Sequence, residues 1–226
     1  MSAAASVLEF HNVCCARGGA EVRDVSLALT GGSSIVLVAG PGCDVDLLLR
    51  LASLEERPDS GHAWLDGEPA HALSDESRAT LRSHKVGMVF SAPHLLPGLS
   101  AVENVAVPLF KLLHLDTAEA AERTHAILEF AGFRGDPSND VSTLSRADQQ
   151  RVALARALVH RPVLLALHHA EDGLAPGDAI GFRETIARAC AEFGMLALAT
   201  APATPGVMPG EKRLLIAAGG AVSIEP

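Results

Sequence analysis

Two short stretches carry side chains able to do chemistry. Cys43-Asp44-Val45-Asp46 follows an apolar run, Ser34 to Ala39, and the tight turn Gly40-Pro41-Gly42. His168-His169 follows a second apolar run, Val163 to Leu167. A glycine turn after a buried strand lets backbone N–H groups close around phosphates. That chemistry also needs a lysine for the β/γ oxygens and a Ser or Thr for Mg²⁺, in the pattern G-x-x-x-x-G-K-[ST]. No Lys or Arg lies between Arg23 and Arg50, and two carboxylates stand in the loop instead. Neutral imidazole is a poor ligand for Mg²⁺, a hard cation that wants oxygen.

The elements that must position these groups follow from hydrophobic period. Residues 6–13 and 22–28 alternate apolar and polar, the pattern of half-buried strands. Residues 34–39 and 163–167 are continuously apolar, as strands covered on both faces are. Shorter strands are expected at 63–65, 86–90, 195–200 and 213–217. Leucines at helical spacing run from Asp44 to Leu54, and residues 57–61 make a turn. Residues 100–132 read as helical with a break near Leu115-Asp116, and Ser100 with Glu103 has capping-box spacing. A helix over 177–193 puts Phe182, Ile186, Cys190 and Phe193 on one face. Alternating strands and helices with apolar strands predict a largely parallel, helix-flanked sheet.

Composition narrows the function classes. The chain has 226 residues and a net charge of −9, which leaves no basic stripe for nucleic acid and disfavours adhesion to anionic lipid. The first residues lack the basic start and apolar stretch of a secretion signal, and no apolar run approaches a membrane span. Cys14, Cys15, Cys43 and Cys190 have neither zinc-knuckle nor disulfide-framework spacing, so a reducing cytosol is expected. Cys14 and Cys15 read as neighbours in a strand, one inward and one outward.

Leu144 to Leu158, LSRADQQRVALARAL, resembles the signature helix of ABC-transporter ATPases, usually written LSGGEQQRVAIARAL. The resemblance extends over nearly the whole chain. Arg57 to Gly61, Asp66-Gly67, Val86 to Phe90, His94 to Val105 and Arg161-Pro162 all match in order. The closest class serves lipoprotein release, macrolide efflux and the cell-division permease. It implies an α/β fold of the P-loop NTPase type: a mostly parallel sheet flanked by helices, an N-terminal antiparallel β subdomain and an inserted helical subdomain. One domain would span 1–226, with the core and β subdomain in 1–91 and 160–226 and the helical part at about 92–159.

Position by position, the resemblance places altered residues where the family touches nucleotide. Arg17 stands for the adenine-stacking tyrosine, though its guanidinium plane could stack in turn. The phosphate loop runs from Gly40 and Gly42 through Asp44, Val45 and Asp46, with no lysine in either plausible register. Ser91 replaces a glutamine, and Ser145-Arg146-Ala147 replaces Ser-Gly-Gly. His168-His169 replaces the Asp-Glu pair that holds Mg²⁺ and polarises water. Ala201 replaces the switch histidine, and Ala175 the later aspartate.

Substitution at contact positions with retention at packing positions implies a catalytically degenerate subunit, a pseudo-ATPase with no cofactor expected. It would serve as a structural or regulatory partner of a membrane permease and of a second ABC ATPase-like chain. The family also implies a location on the inner face of the cell membrane. Leu95, Leu96, Pro97 and Leu99 are the candidate docking residues for the permease, the other reading being internal packing. Arg146 would face the partner chain, or merely solvent. An Asp46–His168 or Asp44–His168 contact is expected to fill the vacated site. Two alternatives stand beside this. One is a working ATP- and Mg²⁺-dependent subunit with unusual motifs. The other is a ligand- or metal-binding module, with Cys43, Asp44, Asp46, His168 and His169 offering donors that suit zinc.

Overall fold

The computed structural model describes residues 6–39, 43–200, 212–216 and 222–225. Three strands, β1 (Ser6–Arg17), β2 (Ala20–Thr30) and β4 (Ser60–Leu65), form an antiparallel sheet in the order β2-β1-β4. Six more form the central sheet: β3 (Ser33–Ala39), β5 (Val86–Phe90), β6 (Leu164–His168), β7 (Leu196–Thr200), β8 (Lys212–Ile216) and β9 (Val222–Glu225). Their order is β5-β6-β7-β3-β8-β9, parallel throughout except for the β8–β9 pair. An α/β fold with a largely parallel sheet and an N-terminal antiparallel sheet is what the sequence led us to expect.

Period two decides where each side chain of the central sheet goes. Leu164 and Ala166 of β6 pack into a core shared with β1, β2 and helix α1 (Val45–Ala52). Leu165 and Leu167 face a second core. That core is built with α3 (Ala101–Leu112), α4 (Thr117–Phe130), α5 (Arg146–Leu158) and α6 (Pro176–Phe193). Helices α3, α4 and α5 come between β5 and β6 in sequence, yet the two strands pair directly, so the 92–159 segment leaves the sheet and returns beside it. The Ser100 capping box is formed, with Ser100 accepting from Glu103 N and Glu103 accepting from Ser100 N at 2.8 Å. Asp116 caps α4 at the expected break. Phe182, Ile186 and Cys190 are buried along one face of α6, while Phe193 at its end is only half-buried.

Two elements lie outside the sequence reading. Helix α2 (Asp75–Lys85) buries no residue fully, so it leaves no apolar period to detect. Ser74 nevertheless caps it, accepting from Ser77 N at 3.2 Å. Strand β9 is four residues long with Ser223 and Ile224 exposed, an edge strand lacking a buried run. Strands β1 and β2 also run longer than their alternating cores, because bulges let the pairing continue past Asn12 and Cys14.

Candidate functional site

Helix α1 starts at Val45, shortly after β3 in sequence. Asp44 is its N-cap, and its side chain accepts from Leu47 N at 2.8 Å. A carboxylate is favoured there because it meets the unpaired N–H groups of the first turn. Val45 opens the helix and packs against the first core, and Asp46 lies in its first turn. Asp44 is therefore spent on its own helix.

The two histidines end β6 and take separate partners. His169 Nε2 lies 3.0 Å from Asp46 Oδ1. His168 Nε2 lies 3.1 Å from Glu55 Oε2, with the imidazole nearly parallel to the Phe90 ring at a centroid distance of 4.9 Å. The expected contact of Asp46 or Asp44 with His168 is thus corrected. Successive residues at a strand end point opposite ways, so only one histidine can reach α1's first turn. His169 has a left-handed φ of 50° and its N–H donates to Thr200 Oγ1 at 3.0 Å, which turns its ring towards Asp46.

Glu55, which the sequence did not single out, sits under this site. Burial pushes its carboxyl up, but contacts with His168, the Ser53 hydroxyl and Arg50 outweigh that and hold it below the usual carboxylate range. Of the five donors proposed for a metal, Asp44 is a cap, His168 pairs with Glu55, His169 pairs with Asp46, and Cys43 packs against the first core. Among the described residues no group of three or more His, Cys, Asp or Glu side chains is arranged to hold a metal ion. Gly40, Gly42 and Ala201 lie outside the described residues.

Arg146 is held by its own chain. Its guanidinium folds back, donating to Ser91 O, to Asp172 O at 3.1 Å and to Gln150 Oε1 at 3.2 Å. Three acceptors within the chain converge on this guanidinium. Ser91 N in turn donates to His168 O at 2.9 Å, so the residue after β5 joins α5 to the end of β6. Ser145 caps α5, accepting from Asp148 N at 3.1 Å, and Ala147 is half-buried behind it. Gln150, fully buried, donates to Phe90 O at 2.8 Å and Ala170 O at 2.7 Å.

Arg17 clamps β1 to the 56–59 turn. It donates to Glu56 Oε2 at 3.2 Å, Asp59 Oδ1 at 2.7 Å and Arg57 O at 3.1 Å. The same guanidinium holds the Asp59 carboxyl below its usual range. That clamp accounts for the placement of Arg17 without adenine.

The 91–99 loop is pinned from beneath by two residues the sequence reading passed over. Arg156 donates to Pro93 O and His94 O, each at 2.9 Å. Buried Asn104 accepts from Leu96 N at 2.7 Å and donates to Leu96 O and Ser100 O at 3.1 and 3.0 Å. The VEN run around Asn104 is where a capped helix carrying a buried amide could have been noticed. With the backbone so held, Leu95 packs inward, Leu96 is 44% exposed, Pro97 is exposed and Leu99 half-buried.

Comparison with known proteins shows the family and the fold. A family model described as ABC transporter matches residues 22–169. The lipoprotein-releasing system ATP-binding protein LolD 2 of Caulobacter vibrioides is 35% identical over 177 residues, covering 78% of this chain and 77% of its own. LolD of Bordetella pertussis is 36% identical over 174 residues, 76% of this chain and 74% of its own. Among solved structures, the dimeric cassette MJ0796 bound to ADP and Pi superposes with a TM-score of 0.80 at 24% identity, covering 96% and 97% of the two chains. The protein cbiO1 from Clostridium perfringens, part of the transporter complex cbiONQ, gives 0.83 at 20% identity over 97% and 87%. At those identities the two structures speak for the fold.

Proposed function

Because this chain belongs to the ABC transporter family and is homologous to LolD ATP-binding proteins, we propose that it is a cassette subunit whose own nucleotide chemistry has lapsed. The observation that carries this is the Asp46–His169 pair. It stands between the first turn of α1 and the end of β6, where a relative would hold Mg²⁺ and phosphate. The residues present fit a magnesium triphosphate poorly. Asp44 already takes the Leu47 N–H in the first turn of α1, and no Lys or Arg stands in the loop. One carboxylate ~4 Å from a phosphate charge costs about 4 kcal/mol at an effective dielectric of ~20, roughly a thousandfold in affinity.

The same reading gives the subunit a structural or regulatory task. It docks a membrane permease through the Leu95–Leu99 loop, whose exposed Leu96 and Pro97 stand on a rigid hydrogen-bonded base. It pairs with a second cassette chain, either a copy of itself or a competent ATPase. The names of its LolD relatives make lipoprotein release the first process to examine. Among the described residues no helix is long and apolar enough to cross a membrane, so attachment to the membrane runs through the permease.

Calorimetric titration with ATP in Mg²⁺ buffer, run beside a turnover assay, tests the proposal. Binding of millimolar strength or weaker without turnover is expected. Micromolar binding with turnover above background overturns it. That outcome is the second reading, an active ATP-binding subunit, which the names of the curated relatives favour. Introducing a lysine at 45, a Ser at 46 and the acidic pair at 168–169 one at a time is expected to restore nothing, since catalytic groups act as a unit.

A further inference from the structure

At the opposite end of β6 from the histidines lies a cavity of about 200 Å³ between α4, the α5–β6 turn and the end of α6. Two arginines border it, Arg123 from α4 and Arg161 from the turn. Its apolar wall is Ile127, Val159 and the ring pair Phe130–Phe193, whose centroids are 4.9 Å apart. Arg161 lays its guanidinium carbon 3.8 Å over Phe193, and Arg188 lies 4.3 Å over Phe130 on the far side of the pair. A left-handed φ of 58° at Arg161 fixes the turn from which that side chain leaves.

Two guanidinium groups and one carboxylate, that of Glu192, line the cavity, so positive charge is in excess. Arg188 has Glu192 at 4.0 Å, whereas no described carboxylate comes within 4.0 Å of Arg123 or Arg161. Burial, and then the charge on Arg161, lower the Arg123 guanidinium from its ordinary value. Positive charge thus outweighs negative on the lining of this cavity, in a chain of net charge −9. Arg161 is exposed and Arg123 half-buried, so both guanidinium groups are open to an incoming ligand, and an anion between them is attracted by both. A planar guanidinium fork matches phosphate and carboxylate geometry, and two of them balance a dianion better than a monoanion. The phenylalanine pair beside them supplies an apolar face.

We infer that this cavity binds a phosphate monoester group carried on an apolar or aromatic moiety, at a site separate from the nucleotide cleft. The five residues of β6 put about 16 Å between the two places. The ligand is either a soluble ester or the headgroup of an acidic lipid, and the experiment separates these sources.

Phenyl phosphate and inorganic phosphate are titrated into the purified chain, with R123Q, R161Q and D46N alongside. The chain is also co-sedimented with phosphatidylcholine vesicles with and without phosphatidic acid. Saturable binding of phenyl phosphate is expected, weaker for inorganic phosphate. Loss of one guanidinium should weaken it roughly tenfold to a hundredfold. D46N leaves it unchanged. R123Q also raises the unfolding midpoint without ligand, because it relieves a like-charge contact; a structural arginine would lower it. Vesicle retention that needs phosphatidic acid and disappears in R123Q assigns a lipid headgroup, and solution binding without it assigns a soluble ester. Binding to neither, or binding that R123Q and R161Q leave intact, overturns the inference.

Discussion

His169 Nε2 lies 3.0 Å from Asp46 Oδ1 and 3.2 Å from Oδ2, joining the end of β6 to the first turn of α1. Both side chains are nearly half exposed, 45% and 49%. A pair so open to water is screened and contributes about 0–1 kcal/mol. D46A should therefore shift stability by no more than about 1 kcal/mol in urea unfolding. A larger loss would mean that the pair holds the fold up instead of merely occupying the cleft.

His168 and Glu55 form the drier pair, their side chains 10% and 27% exposed. E55Q removes the anion facing a buried ring and is expected to cost about 1–3 kcal/mol. The pH dependence has a definite sign. Glu55 ionises below its ordinary pH in the folded chain, so its stabilising contribution is complete above the unfolded carboxylate value. It is lost as pH falls through the folded value. Melting curves between neutral and acidic pH should show a shallower acid limb for E55Q than for the parent.

Burial, reinforced by the charges of His84 and Arg123, pushes His160 down to about 4. Between there and the unfolded value near 6.5, the unfolded chain binds the extra proton, so stability falls with acidification across that window. The gap corresponds to about 3 kcal/mol. H160L should flatten the stability profile from pH 6.5 to 4, and an unchanged slope would assign the acid sensitivity elsewhere.

Gln150 ties α5 to the carbonyls that follow β5 and β6. Q150L keeps the volume but leaves Phe90 O and Ala170 O without this donor, and Arg146 without one acceptor. A loss of about 2–5 kcal/mol is expected by chemical denaturation. Faster amide exchange at Ser91 should accompany it, since that residue is held by the same junction.

At Gly87 an added Cβ would stand 2.4 Å from Ala157 O and 3.2 Å from Leu165 Cδ1. The first neighbour is helix backbone and cannot swing aside. G87A should push α5 off β5 and cost about 1–3 kcal/mol or more, read as a lowered unfolding midpoint. Parent-like stability would show that the helix gives way cheaply.

Hydrophobic period found the elements with a buried stripe and missed those without one. β3 and β6 were legible as continuous apolar runs, and α6 by its Phe182, Ile186 and Cys190 face. α2 was not, because its only strong sequence mark is the cap at Ser74. At the site, the altered residue types at 44–46, 91, 146–147 and 168–169 were plain from the text. Their partners were not. Choosing between His168 and His169 for Asp46 depends on which way successive strand residues point. Asn104 reaches Leu96, Arg156 reaches His94 and Glu55 reaches His168 across 8 to 113 residues of chain, beyond local spacing.

The sequence by itself determined the family, the α/β architecture and the absence of a lysine in the phosphate loop, because residue type and local period are written in the chain. Only the tertiary structure decided that Arg146 closes on Ser91 and Asp172, that Asp46 meets His169, and that Arg123 and Arg161 converge on one apolar cavity. Those are distances between segments far apart in sequence. They are set when β5, β6 and the helices pack, and the direction of a side chain on a packed element has no local code.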